Sequence, residues 1–279
     1  MARLSQTYFG LPAQAGFRLP PEWAPHAATW LSWPRPEGIS FPYGFQGIPE
    51  AFAALVTAIT QWEPVILNAS AAAEVEVRRH LTRAGARMDR VRLAPIPADE
   101  PWCRDHGPTF LLRNTRSPLR KLAIDWEFNA WGGKYAPWEA DNAVAHRAAQ
   151  FLGVPSHHVD LVAEGGALEV NGQGDLLTTR GCLDADTRNP QLNQSQIEAI
   201  LRNTLGVERI HWLTGDLIGD DTDGHIDQLA RFIDSRTILT SAPHPDDPNA
   251  ASFRSLREQL MALRDRDRRP FRIVDVPLP

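Results

Sequence analysis

Asp105, Glu164, His225 and Asp227 are the side chains whose types and placement best suit chemistry on a small cation. Asp105 ends the segment Trp102-Cys103-Arg104-Asp105, Glu164 opens Glu164-Gly165-Gly166, and the other two lie in Asp223-Gly224-His225-Ile226-Asp227. Three carboxylates and one imidazole, set among glycines that permit close backbone approach, fit a cationic ligand. A guanidinium fits best, being planar, permanently charged, and furnished with paired N–H donors that match carboxylate oxygens two at a time. His225 then moves protons during attack at the central guanidinium carbon. That attack still requires a nucleophile.

Each residue also has a plainer reading. Asp105 could pair with Arg104 or serve a turn, and Glu164 before two glycines says little by itself. His225 and Asp227, two apart, would share one face of a strand, where a lone histidine is more often structural than catalytic. Asp220, Asp221, Asp223, His225 and Asp227 also resemble part of a calcium loop. The twelfth residue from Asp221 is Phe232, however, where such a loop needs a bidentate Glu, and Asp220 and Asp221 are better read as capping a turn.

The elements that must position these residues repeat one phrase: two strand-like runs, an amphipathic helix, then a short strand. One instance runs from Ala167–Val170 and Asp175–Thr179 through a helix carrying Ile197, Ile200, Leu201 and Leu205 to the strand Arg209–Leu213. The next uses Gln228–Ile233 and Thr237–Thr240, a helix with Phe253, Leu256, Leu260 and Leu263, and Phe271–Val274. The preceding one uses Thr109–Leu112 and Leu122–Trp126, a helix from Ala143 to Phe151, and His158–Leu161. Two less regular stretches come earlier, near Ala28–Trp33 and Pro64–Ala84. The motif segments fall at one phase of the phrase, each just before a hairpin. Units packed around a pseudo-symmetry axis would bring them together. No linker cuts the chain, so residues 1–279 read as one domain.

At 43% hydrophobic and 23% charged residues the chain can bury a substantial core. A net charge of −5 speaks against nucleic acid as partner, and the interrupted run Arg264, Arg266, Arg268, Arg269 reads as a solvated helix end. No run suits a membrane span and residues 1–6 show no leader, so a cytoplasmic protein is expected. The tryptophans, among them Trp23, Trp30, Trp33, Trp102, Trp126, Trp131 and Trp138, read mostly as core, with Trp102 set aside as a contact for an alkyl chain or cation. Cys103 and Cys182 are too few for a disulfide framework or a zinc site, although Cys103 precedes the cation Arg104.

These residues resemble a known family, the agmatine deiminases and related bacterial peptidylarginine deiminases. The matching segments are Leu19-Pro20-Pro21-Glu22-Trp23 with His26 and Thr29-Trp30, then Trp102 to Pro108, Trp126 to Lys134, Glu164-Gly165-Gly166, Arg188-Asn189-Pro190 and Asp221 to Asp227. The resemblance implies a pentein-type α/β-propeller of hairpin-helix-strand modules. It implies that Asp105 and Asp227 grip a guanidinium, that Glu164 orients the histidine and substrate, and that His225 is general acid then base. It implies hydrolysis of agmatine to N-carbamoylputrescine and ammonia through a cysteine thiolate, with no metal or organic cofactor. Peptidyl or free arginine is the alternative substrate, and a homo-oligomer is compatible with the family. Family members continue past the segment matching Asp275–Pro279 with a further module holding the nucleophile. The sequence is therefore read as incomplete at its C-terminus and without a nucleophile, since neither Cys103 nor Cys182 matches it. The other reading is an inactive guanidinium-binding pseudoenzyme.

Overall fold

The computed structural model describes residues 7–114 and 119–277; the leader reading of residues 1–6 lies outside the described residues. The first unit runs β1 (Thr29–Ser32), α1 (Ile48–Thr60), β2 (Val65–Asn68), α2 (Glu74–Ala84) and β3 (Val91–Ala94). The second has a helical turn α3 (Cys103–His106), the hairpin β4 (Thr109–Leu112) and β5 (Lys121–Glu127), turns α4 (Ala130–Gly133) and α5 (Glu139–Asn142), helix α6 (Val144–Leu152) and β6 (Ser156–Val162). A 3-10 turn at Gly165–Ala167 opens the third, followed by β7 (Glu169–Val170), β8 (Asp175–Thr179), α7 (Arg180–Leu183), α8 (Gln194–Leu205) and β9 (Arg209–Leu213). The fourth comprises the turn α9 (Ile226–Leu229), β10 (Ala230–Phe232), β11 (Thr237–Ala242), α10 (Ala250–Ala262) and β12 (Arg272–Pro277).

Each unit forms its own three-stranded sheet. In the last three, the middle strand pairs antiparallel with its hairpin partner and parallel with the strand returning from the helix. In the first, β2 is parallel to both β1 and β3 because a helix intervenes on each side. The repeat foreseen in the sequence is therefore present as a mixed α/β structure. The four sheets are separate, and no pairing among the described residues joins them into a closed sheet.

Helix boundaries follow local chemistry. In α8, Asn193 and Gln196 form a reciprocal capping box and Gly206 ends the helix in the left-handed region at φ 71°. Ile197, Leu201 and Leu205, spaced by four, are fully buried in one apolar cluster with Phe17 and the β5 residues Leu122 and Ile124. In the fourth unit Phe253, Leu256 and Leu260 of α10 cover Ile238 and Phe232 in the same way.

Three expectations fail locally. Ile226–Leu229 is a helical turn, so His225 and Asp227 do not share a strand face, and the strand begins only at Ala230. A single turn has no periodicity for a pattern to report. Ala167 likewise belongs to the 3-10 turn, not to the hairpin strand. Arg264–Arg269 is a turn beyond α10, in which Asp265 accepts from the backbone N–H of Asp267 and Arg269. The tryptophans are mostly core, as expected: Trp126 and Trp131 are buried and Trp30, Trp33, Trp138 and Trp212 pack half-buried against the clusters, while Trp23, Trp62 and Trp102 are exposed.

Candidate functional site

The three motif segments all precede a hairpin, and in space they are three single turns packed together: α3 and α9 each lie against Gly165–Ala167. This is the convergence that the common phase in the repeat implied. Asp105 comes from α3, Glu164 leads into the 3-10 turn, and His225 and Asp227 come from the start of α9.

His225 Nδ1 lies 3.6 Å from Asp105 Oδ1 and 4.0 Å from Asp227 Oδ1. Such crowding is possible because residue 166 is glycine: a Cβ there would stand 2.3 Å from His225 Nδ1 and 2.9 Å from both Asp105 Oδ1 and Asp227 Oδ2. Asp105 Oδ1 accepts from Gly166 N–H at 3.0 Å, and its Oδ2 accepts from the Trp131 indole at 3.2 Å. Trp131 reaches it from a left-handed conformation, φ 56°, next to Ala130 at φ 51°. Two non-glycine residues held there mark a strained turn whose consequence is the indole's placement.

Glu164 and Arg188 are wholly buried behind the imidazole. Arg188 Nε donates to Glu164 Oε1 at 2.9 Å, Nη1 to Asp223 Oδ2 at 2.6 Å, and Nη2 to the Thr222 carbonyl at 3.2 Å. One guanidinium thus ties the carboxylate to the loop that carries His225. Asp223 is also held by Lys134 Nζ at 2.6 Å. Asp220 caps the loop, accepting from Thr222 N–H at 2.8 Å and Gly224 N–H at 2.7 Å. The carboxylates of the calcium-loop reading are thus largely engaged by the chain itself. Arg104 pairs with Glu22 at 2.5 Å and approaches Asp227 at 3.4 Å, so the plain reading of an Arg104–Asp105 pair does not hold.

Burial dominates the titration of the site. It pushes Asp105 up to about 7, with the Glu164 and Asp227 charges adding to the rise and the hydrogen bonds from Gly166 and Trp131 opposing it. It pushes His225 down to about 4, helped by the Arg188 and Arg104 guanidinia. Asp227 is raised by burial against the pull of Arg104 and Arg231. Near neutrality the imidazole is therefore uncharged and Asp105 is poised between its two forms.

Asp105, His225 and Asp227 line a cavity of about 810 Å³ with Trp102, Trp131, Tyr135, Ile39, Asp220 and Asp221. Glu164 stands behind it, not in its wall. Trp102, 49% exposed, sits at the rim with its indole donating to Ser40 Oγ at 2.7 Å. The two thiols differ from reactive cysteines. Cys103 Sγ donates to the Trp30 carbonyl at 3.2 Å and burial pushes its pKa up to about 11. Cys182 is fully buried, donates to the Thr222 carbonyl at 3.1 Å, and is pushed up further.

The sequence reading assigned no role to Arg188, Glu22, Trp131 or the loop at Ile39–Pro42. Their partners are remote in sequence, so spacing carried no signal; only their membership in the quoted segments pointed to the first three.

Residues 18–279 match the family model of Porphyromonas-type peptidyl-arginine deiminase. The chain is 37% identical over 275 residues to the agmatine deiminase of Ectopseudomonas mendocina (strain ymp), covering 96% of this chain and 72% of that one. It is 36% identical over 269 residues to the putative agmatine deiminase of Legionella pneumophila (strain Philadelphia 1), covering 96% and 75%. Among solved structures, agmatine deiminase of Enterococcus faecalis superposes with a TM-score of 0.87 at 31% identity, over 99% of this chain and 74% of that one.

Proposed function

This chain belongs to the Porphyromonas-type peptidyl-arginine deiminase family, and from that premise we propose that its cavity binds the guanidinium of agmatine for hydrolytic deimination to N-carbamoylputrescine and ammonia. The observation that carries the proposal is the pair of carboxylates, Asp105 and Asp227, flanking one neutral imidazole in the cavity wall. The carboxylates hold the cation's N–H groups, and His225 takes and returns protons as the carbon changes its substituents. Glu164, fixed by Arg188, orients the imidazole from behind. Trp102 and Trp131 offer apolar faces to an alkyl chain. The meeting of three equivalent turns supports a propeller-like arrangement of the units.

Agmatine is favoured over arginine by charge. Asp105, Asp220, Asp221 and Asp227 line the cavity, and Arg104 is the one Lys or Arg among the lining residues, already engaged by Glu22 and Asp227. A free amine at the far end meets carboxylates, whereas an α-carboxylate meets like charge. The nucleophile is assigned to neither thiol, so binding and turnover are separate readouts.

Asp227→Asn is expected to weaken agmatine binding by about 1.5–3 kcal/mol, roughly ten- to hundredfold in Kd, as for a lost charge-assisted hydrogen bond. Titration calorimetry measures this, and equal affinity in variant and parent would remove the clamp. Ammonia release by the same preparation tests the chemical step; its absence together with intact binding would place attack on the carbon outside these side chains.

Affinity should also depend on pH. A cation needs Asp105 ionised, so agmatine binding should strengthen as pH rises through about 7 and weaken about tenfold per pH unit well below that. In the empty protein the sign is opposite. Native Asp105 holds its proton more tightly than the unfolded chain, so its contribution to stability declines from the ordinary carboxylate range up to about 7. Agmatine should therefore raise Tm more at pH 8 than at pH 5.5, and Asp105→Asn should flatten that difference. An equal Tm shift at both values in the parent would contradict the role given to Asp105.

A further inference from the structure

We propose that Glu164, Cys182 and His225 form a capture site for one thiophilic divalent cation of the zinc type, behind the wall of the guanidinium cavity. One donor atom from each residue lies within 4.8 Å of those of the other two, and all three residues are buried. Independently, Glu164 Oε2 and His225 Nε2 are buried with no hydrogen-bond partner among the described residues. Native proteins seldom leave such atoms bare, and here two are bare beside one thiol.

The donor set decides the ligand. One sulfur, one nitrogen and one carboxylate oxygen with a fourth position open is a zinc-like combination, whereas Mg²⁺ and Ca²⁺ prefer oxygen alone. Tetrahedral zinc places such donors about 3.5 Å apart, so no pair of the trio has to close by more than about 1.3 Å on the ion. Asp105 and Asp227 face Nδ1 of His225. Their negative charge favours a proton on that nitrogen, which leaves the Nε2 lone pair for the ion, as carboxylates do for metal-bound histidines. Arg188 occupies only Oε1 of Glu164. On binding, the S–H bond and its contact to the Thr222 carbonyl break, a metal–sulfur bond forms, and the proton leaves to solvent. Thiolate and carboxylate then outweigh the nearby Arg188 charge. The ion would draw His225 out of proton transfer and Glu164 away from orienting it, which makes it an inhibitor and not a cofactor.

Cobalt(II) is the probe, because a thiolate ligand gives it a near-ultraviolet charge-transfer band. The chain, stripped with chelator, is expected to bind Co²⁺ with that band and to release it to Zn²⁺ but not to Mg²⁺. Cys103 and Cys182 are the only cysteines, so Cys103→Ser should keep the band and Cys182→Ser should lose it. Glu164→Gln and His225→Ala should each weaken Co²⁺ at least tenfold. No band in the parent chain, a band lost in Cys103→Ser, or one indifferent to both Glu164→Gln and His225→Ala would overturn the proposal. The parent and Cys103→Ser spectra decide the sulfur even if Cys182→Ser does not fold.

Discussion

Replacing Arg188 by alanine is expected to destabilise the protein by about 3–5 kcal/mol at neutral pH, the cost typical of removing one partner from a buried ion pair. Arg188 and Glu164 have side chains with no exposure, 2.9 Å apart, and the other nitrogens of the same guanidinium hold Asp223, Thr187 and the Thr222 carbonyl. Without it, Glu164 Oε1 loses its partner and both oxygens stand bare in a site that already raises the group's pKa through burial. Lysine cannot stand in, because its contacts cannot spread in a plane toward four acceptors. In urea, the midpoint should fall with the slope unchanged. The loss should shrink as pH falls, since a protonated Glu164 no longer carries a buried charge. Adding Glu164→Gln to the variant should recover part of the stability. A loss below about 1 kcal/mol, within the range of an exposed pair, would show that the pair is not the lock described.

That lock was invisible to pattern reading for a physical reason. Hydrophobic alternation reported the hairpins and α8 well, because burial of one face imposes a period on sequence: Arg209–Leu213 is a strand over the span expected. Arg188 has no such period. It lies between α7 and α8, and what it touches comes from two other places in the chain. Gly132 bears the mark of the same contact, since a Cβ there would sit 2.5 Å from Arg188 Nη1. The cavity's outer loop escaped for a similar reason. Glu100 fixes it by accepting from Ile39 N–H at 2.7 Å and Ser40 N–H at 3.2 Å, a pairing across some sixty residues. Asp105, Glu164, His225 and Asp227 could be found because each occupies the same place in a repeated unit, which turns distance along the chain into proximity. The turn geometry that seats His225 and Asp227 could not, because four residues are too few to show a helical stripe.

Gly166→Ala should be the most damaging single methyl group in the molecule for ligand binding. The new carbon would meet His225 Nδ1 at 2.3 Å and Asp105 and Asp227 oxygens at 2.9 Å, so it strikes all three groups of the proposed clamp at once. Two of these are carboxylates and the third is a ring fixed at the head of α9; none is the loose end of a long side chain that could swing aside. Gly166 does not lie in the left-handed region, so alanine there is no worse for the backbone and the whole effect must come from contact. Overpacking of this kind costs about 1–3 kcal/mol of stability, which the fold should survive. Agmatine affinity should fall more than a hundredfold, beyond the loss in Asp227→Asn, because Asp105, Asp227 and the imidazole are displaced together. Calorimetry beside a thermal melt separates the two effects. A folded Gly166→Ala protein that binds agmatine like the parent would mean that the cation is held elsewhere, and the guanidinium reading of this cavity would fall with it.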